Sequence, residues 1–230
     1  MKDNWSDYEY ATDWDTDAAV TNFSRSMLLD LLTSIITDTY IENNKILDLG
    51  FGSGHVEDQL LSKLPEAQIV GVDASDVMIA KAKERLKDNS NVIMINHDLN
   101  RINSLILPKG NYQFAITSFV LHEIPSVHKR EIFEFIYKTL MPGGLYILVD
   151  RFKIDSDALI LPYTSQWSWK RKFYKGKGTK PFEEYKKEIS AKEDSPNTME
   201  EQLIWLRETG FKSACLQLLL DRGLIVGVKT

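Results

Sequence analysis

The segment Asp48-Leu49-Gly50-Phe51-Gly52-Ser53-Gly54 sets three glycines at alternate positions, just after the apolar run Ile46 to Leu49 and just before a helical pattern. Glycines there let a backbone turn sharply and approach a ligand, while the following helix N-terminus offers free N–H groups. Asp73 closes the next apolar run, Ile69-Val70-Gly71-Val72. A carboxylate at that strand end can accept hydrogen bonds from both hydroxyls of a ribose. The glycine spacing is GxGxG, whereas the dinucleotide fingerprint is GxGxxG. A nicotinamide-dependent dehydrogenase is therefore disfavoured. Further along, Thr117 to Glu123 follows the fourth strand pattern, at the edge where open α/β sheets bind ligands. His122 is the candidate general base there, because a free imidazole titrates near neutrality and can take a proton from a hydroxyl or amine. Glu123 is a weaker candidate.

These residues need elements to hold them. His55 to Leu64 has helical apolar spacing and stops at Pro65, and Ser75 to Lys87 is a charged helix with an apolar stripe. Val92 to Ile95 and Phe114 to Phe119 read as strands. Lys129 to Leu140 reads as a helix closed by Pro142-Gly143-Gly144, with Leu145 to Val149 as the next strand. Met199 to Thr209 is a helix stopped by Gly210. Ser213 to Leu220 and Leu224 to Val228 then form two strands joined by Asp221-Arg222-Gly223, a turn too short for a parallel crossover. The spacing predicts an α/β fold: a Rossmann-like, doubly wound, mostly parallel seven-stranded sheet ending in an antiparallel hairpin.

Length and charge set the limits around this core. A chain of 230 residues suits one α/β domain with a modest insertion. Within it, 1–40 reads as an N-terminal arm with a helix over Ala18 to Asp38, and 41–152 as a ligand-binding core. Residues 153–197 read as a helical insertion after the fifth strand, looping at Gly176-Lys177-Gly178, and 198–230 as the closing helix and hairpin. A formal charge of −5 gives no general attraction to nucleic acid or anionic membranes. The single cysteine, Cys215, precludes an internal disulfide or a cysteine-rich metal site, so no metal and a cytoplasmic setting are expected.

The stretches KILDLGFGSG, VGVDASDVMIAKAKERL, HDLN and LMPGG together resemble the class I S-adenosylmethionine-dependent methyltransferases, in register over residues 45–150. The resemblance implies S-adenosylmethionine as cofactor and S-adenosylhomocysteine as product. It implies that Gly50, Gly52 and Gly54 let backbone approach the methionyl part, with Phe51 and Ser118 beside it. Asp48 would brace the loop or meet the ligand's amino group. Asp73 would hold the ribose, with Ala74 and Met78 near the adenine. Asp98 would accept from the adenine amine, beside the Leu99 N–H. Phe51 departs from the family, which usually has Cys or a small residue there.

The arm Tyr10 to Asp15 and the tail Thr198 to Phe211 resemble the small-molecule branch that includes trans-aconitate methyltransferase-like proteins, in which arm and insertion wall the acceptor pocket. Trp14, Tyr163 and Trp167 are the residues this places against a substrate. Asp3, Asp7, Glu9, Asp13, Asp15 and Asp17 of the arm could also pair with the basic stretch Lys170, Arg171, Lys172, Lys175, Lys177 and Lys180. The expected activity is O-, N- or carboxyl methylation of a small molecule by a monomer or homodimer. Two other readings stay open: an RNA or protein methyltransferase using the basic, aromatic insertion, and a non-catalytic S-adenosylmethionine-binding regulator.

Overall fold

Short apolar strands alternating with helices need cover on both faces, and parallel βαβ units supply it. The computed structural model, which describes residues 5, 7–13, 23–154, 157–173, 180–191 and 194–230, has this arrangement. A short helix α1 (residues 8–13) precedes α2 (Phe23–Thr39). Then follow β1 (Lys45–Leu49), α3 (His55–Lys63), β2 (Gln68–Asp73), α4 (Asp76–Arg85), β3 (Val92–Asn96), β4 (Tyr112–Ser118), α5 (Ser126–Thr139) and β5 (Leu140–Arg151). The insertion contributes α6 (Ile160–Lys170) and α7 (Phe182–Ser190). The chain ends in α8 (Met199–Thr209), β6 (Phe211–Leu219) and β7 (Arg222–Lys229).

The strands form one sheet in the order β3-β2-β1-β4-β5-β7-β6. β1 to β5 pair in parallel, while β7 runs antiparallel to both β5 and β6. The order reverses between β1 and β4, which places a crevice at their carboxyl ends. Successive strand residues face opposite layers. Ile46, Ile69, Phe114 and Ile147 are buried with Leu28 and Leu32 of α2 and Leu60 of α3. Leu47, Val70, Ala115 and Leu148 are buried on the other side with Ile132 and Phe133 of α5 and Leu206 of α8.

Two segments differ from the sequence expectation. Pro142-Gly143-Gly144 does not separate α5 from β5; it lies inside the strand. The register passes from Tyr112 opposite Leu140 to Phe114 opposite Leu145, so the Pro-Gly-Gly stretch is looped out as an irregularity. The closing turn is also shifted. It is formed by Leu220 and Asp221, and Leu220 adopts φ 61. That backbone costs a non-glycine residue roughly 1–2 kcal/mol. Leu220 is buried with Trp167 and Phe182 of the insertion, and burying a leucine contributes roughly 1.5–3 kcal/mol. Packing under the insertion therefore overrides the turn preference of Asp221-Arg222-Gly223.

Candidate active site

The glycine loop takes its shape from one close approach. Gly50 has φ +82, and a Cβ there would lie 2.5 Å from Val120 Cγ2 of the loop after β4. The loop can therefore press against Val120 only with glycine at that position. Gly50 N–H donates to the Val72 carbonyl at 2.7 Å, tying the loop to the end of β2.

Phe51, the departure from the family pattern, has a physical explanation. Its ring is buried in a small cluster with Ile79 and Ala82 of α4. A Cβ on Gly71 would come within 2.8 Å of that ring. Phe51 therefore fills space that β2 leaves open, instead of projecting only into the ligand crevice. Gly71→Ala is expected to displace the ring and the loop together, lowering stability by about 1–3 kcal/mol as overpacking does. Chemical denaturation would read this, and a Phe51→Leu, Gly71→Ala double variant should recover part of the loss.

The crevice itself is a cavity of about 500 Å³, within the range of small-molecule sites. Gly50, Phe51 and Gly52 line one wall, with Asp73, Ala74 and Met78 below and Asp98, Leu99 and Ser118 beside them. Nine sequence-derived binding residues thus converge on one cavity. Asp73 is held by backbone: Gly52 N–H donates to Oδ2 at 2.9 Å and Ser75 N–H to Oδ1 at 2.8 Å. Burial pushes its carboxyl above the ordinary range, and these N–H donors work against that shift. Asp98 caps the 3₁₀ turn Leu99–Ser104, accepting from Asn100 N–H at 2.9 Å. Gly54 opens α3, and Asp48 lies behind the loop with no exposed surface.

His122 sits one row back. Its Nδ1 is 2.5 Å from Asp150 Oδ1, and its backbone N–H donates to Asp150 Oδ2 at 2.9 Å. Glu123 is the residue of this pair that lines the cavity, with Oε1 3.8 Å from His122 Nε2. Asp150, at the end of β5, thus fixes the orientation of an imidazole whose free nitrogen faces Glu123. Among the cavity walls, sequence reasoning missed Arg25, Phe119 and Trp5. The Arg25 guanidinium lies 5.5 Å from the Phe119 ring centre. Phe119 adopts φ 57, a strained conformation of the kind that gathers at functional sites. Trp5 closes the cavity from the arm, with Nε1 donating to Glu123 Oε2 at 2.7 Å and its carbonyl accepting from Ser75 Oγ at 2.6 Å.

Of the expected substrate residues, Trp167 and Tyr163 lie elsewhere. Trp167 is buried in the core of the insertion, stacked on Tyr185 at 4.4 Å and donating from Nε1 to the Lys180 carbonyl. Tyr163 packs against the same cluster. Neither lines the cavity. Trp14, with Asp3, Asp15, Asp17, Lys175 and Lys177 of the expected arm–insertion pairing, falls outside the described residues, while Lys170 lies 3.9 Å from Asp221 and Lys180 pairs with Glu188.

Residues 46–144 match the family described as a methyltransferase domain. Over that stretch the chain is similar to a methyltransferase domain. Carboxy-S-adenosyl-L-methionine synthase of Actinobacillus succinogenes is 26% identical over 117 residues, covering 50% of this chain and 48% of that protein. Malonyl-[acyl-carrier protein] O-methyltransferase of Priestia megaterium is 27% identical over 126 residues, covering 55% and 43%. The chain spans about half the length of the curated relatives it matches first. A solved S-adenosylmethionine-dependent methyltransferase from Aquifex aeolicus shares the fold at a TM-score of 0.64, with 17% identity over 97% of this chain and 99% of that one. The cavity fits S-adenosylmethionine: a loop that a Cβ would obstruct, a carboxylate braced by backbone N–H groups and a second carboxylate all face it.

Proposed function

We propose that this chain is an S-adenosylmethionine-dependent methyltransferase that acts on a small-molecule acceptor by O-, N- or carboxyl methylation. The observation that carries the reading is the convergence of Gly50, Gly52, Asp73, Asp98 and Ser118 on a single cavity at the point where the sheet order reverses. Bound there, the cofactor supplies an electrophilic methyl group. Asp73 would hold the ribose hydroxyls, Asp98 and the Leu99 N–H the adenine edge, and Met78 the face of the ring. Arg25 is placed to meet a carboxylate.

The chain's own part in the reaction is positioning and proton handling. Methyl transfer needs an in-line acceptor in a dry site, and orientation with desolvation supplies most of the rate. Glu123 faces the cavity and can take a proton from an acceptor hydroxyl or amine. His122, oriented by Asp150, stands behind it to hold that proton or to tune Glu123. His122→Ala is expected to lower kcat about 10- to 100-fold while sparing cofactor affinity. Unchanged turnover across the neutral pH range would return His122 to a structural role.

The small-molecule reading over RNA draws on the insertion. Trp167, Tyr185 and Phe182 pack on one another and Lys170 is buried, which leaves those rings unavailable to stack on bases. The naming of one relative for methylation of a malonyl group points the same way. A screen with methyl-labelled cofactor against metabolite extract and total RNA tests this. Label in a small molecule is expected. Label in RNA would overturn the substrate class, and cofactor binding without transfer to any pool would favour a regulator.

A further inference from the structure

Two carboxyls lie behind the glycine loop that the proposed chemistry does not use. Asp48 is the penultimate residue of β1, two before Gly50, and Glu57 stands in the first turn of α3, just after Gly54. Both are 0% exposed. Apart from each other and the backbone of Glu57 itself, their four side-chain oxygens have no hydrogen-bond partner. Two adjacent carboxyls buried this deeply carry a large desolvation cost when both ionise, so with the cavity empty the pair keeps a proton. Burial pushes Asp48 far above the ordinary carboxylate range and Glu57 up to about 7, and the two titrate as one unit.

The other charged and titratable groups around them are few. Asp73 of β2 faces both and opposes ionisation. Arg85 of α4 faces Glu57 and favours it, while its guanidinium donates to the Ser53 carbonyl on the loop. Tyr146 of β5 also faces Asp48, with its hydroxyl bonded to Thr117 Oγ1 at 2.7 Å. Gly50, Phe51, Gly52, Ser53, His55 and Val56 form the cavity wall on the other side. A charge entering the cavity is thus separated from the pair by one layer of loop.

We propose that the Asp48–Glu57 pair shares one proton in the free protein and releases it to water when the cationic methyl donor fills the cavity, so that the pair distinguishes the sulfonium donor from its neutral thioether product. The inference rests on the methyltransferase reading and deepens it. Donor and product differ by a methyl group and one positive charge. A positive charge behind the loop favours the ionised pair, and the ionised pair in turn favours the positive charge. Methyl transfer removes that charge, the pair recovers its proton, and the product is held less tightly. Binding of the donor and loss of a proton are therefore two readings of one linkage.

The test is calorimetry of wild-type protein with S-adenosylmethionine and S-adenosylhomocysteine, in buffers of different ionisation enthalpy near pH 7. Wild type is expected to release about half a proton or more per donor bound beyond the number for product. In Glu57→Gln that difference should fall to near zero, and the preference for donor over product should drop by roughly 3- to 10-fold. The donor's own ammonium titrates alike with either protein, so comparing the two isolates the pair. If Glu57→Gln fails to fold, the wild-type comparison alone decides. Equal proton counts for donor and product overturn the inference while leaving the methyltransferase reading intact. No binding of either ligand sinks that reading first, and the inference with it.

Discussion

Replacing Asp73 with Ala is expected to weaken S-adenosylmethionine binding by about 100- to 10,000-fold, and to lower fold stability by roughly 1–3 kcal/mol through the lost brace. The size follows from the two charge-assisted hydrogen bonds that the carboxylate would make to the ribose, each contributing roughly 1.5–3 kcal/mol. The carboxylate is also a brace: its acceptors order the Gly52 and Ser75 N–H groups on the two sides of the cavity. Asp73→Asn separates the roles. It keeps an acceptor oxygen for one N–H but loses the charge, so an intermediate affinity is expected. Calorimetric titration reads both variants. Unchanged affinity in Asp73→Ala would show that the ribose lies elsewhere.

Lys129→Ala is expected to be strongly destabilising, by roughly 3–5 kcal/mol, because it leaves a cavity at a fully buried position and takes the donor from two acceptors. Lys129 of α5 is fully buried and donates to the Ser195 carbonyl at 2.5 Å and to Asn197 Oδ1 at 2.6 Å. Those residues carry the chain from the insertion back to α8. Ser195 N–H in turn donates to the His122 carbonyl at 2.6 Å, so the variant should also loosen the insertion near His122 and Glu123. Limited proteolysis in the insertion would report that.

The pH dependence has a definite sign. Burial pushes the Lys129 ammonium down to about 8, below its value in an unfolded chain. The folded protein therefore binds fewer protons than the unfolded one between those values, and this group's contribution rises with pH. Wild type should gain about 2 kcal/mol relative to Lys129→Met between about pH 7.5 and 9.5. A constant difference in urea unfolding across that range would contradict the assignment.

How much of this was legible depends on where each signal sits. Local periodicity marks the alternating elements, and the short spacing between Leu220 and Leu224 forces the antiparallel end, as observed. The cavity positions of the carboxylates Asp73 and Asp98 were legible because strand ends project into the crevice by topology alone. What sequence could not show depends on contacts between distant segments. Phe51 is intelligible only against Gly71, and the Leu220 turn only against Trp167 and Phe182. Arg25 and Trp5 reach the cavity from helix and arm positions that carry no spacing signal. Trp167 shows the opposite error. An aromatic in a basic stretch suggested a ligand contact, yet the insertion needed the ring for its own small core.

Whether this cavity holds S-adenosylmethionine is decided by calorimetric titration of the wild-type protein with that cofactor and, separately, with NAD. Saturable binding of S-adenosylmethionine with no heat from NAD is the expected result. Binding of NAD without S-adenosylmethionine would contradict it.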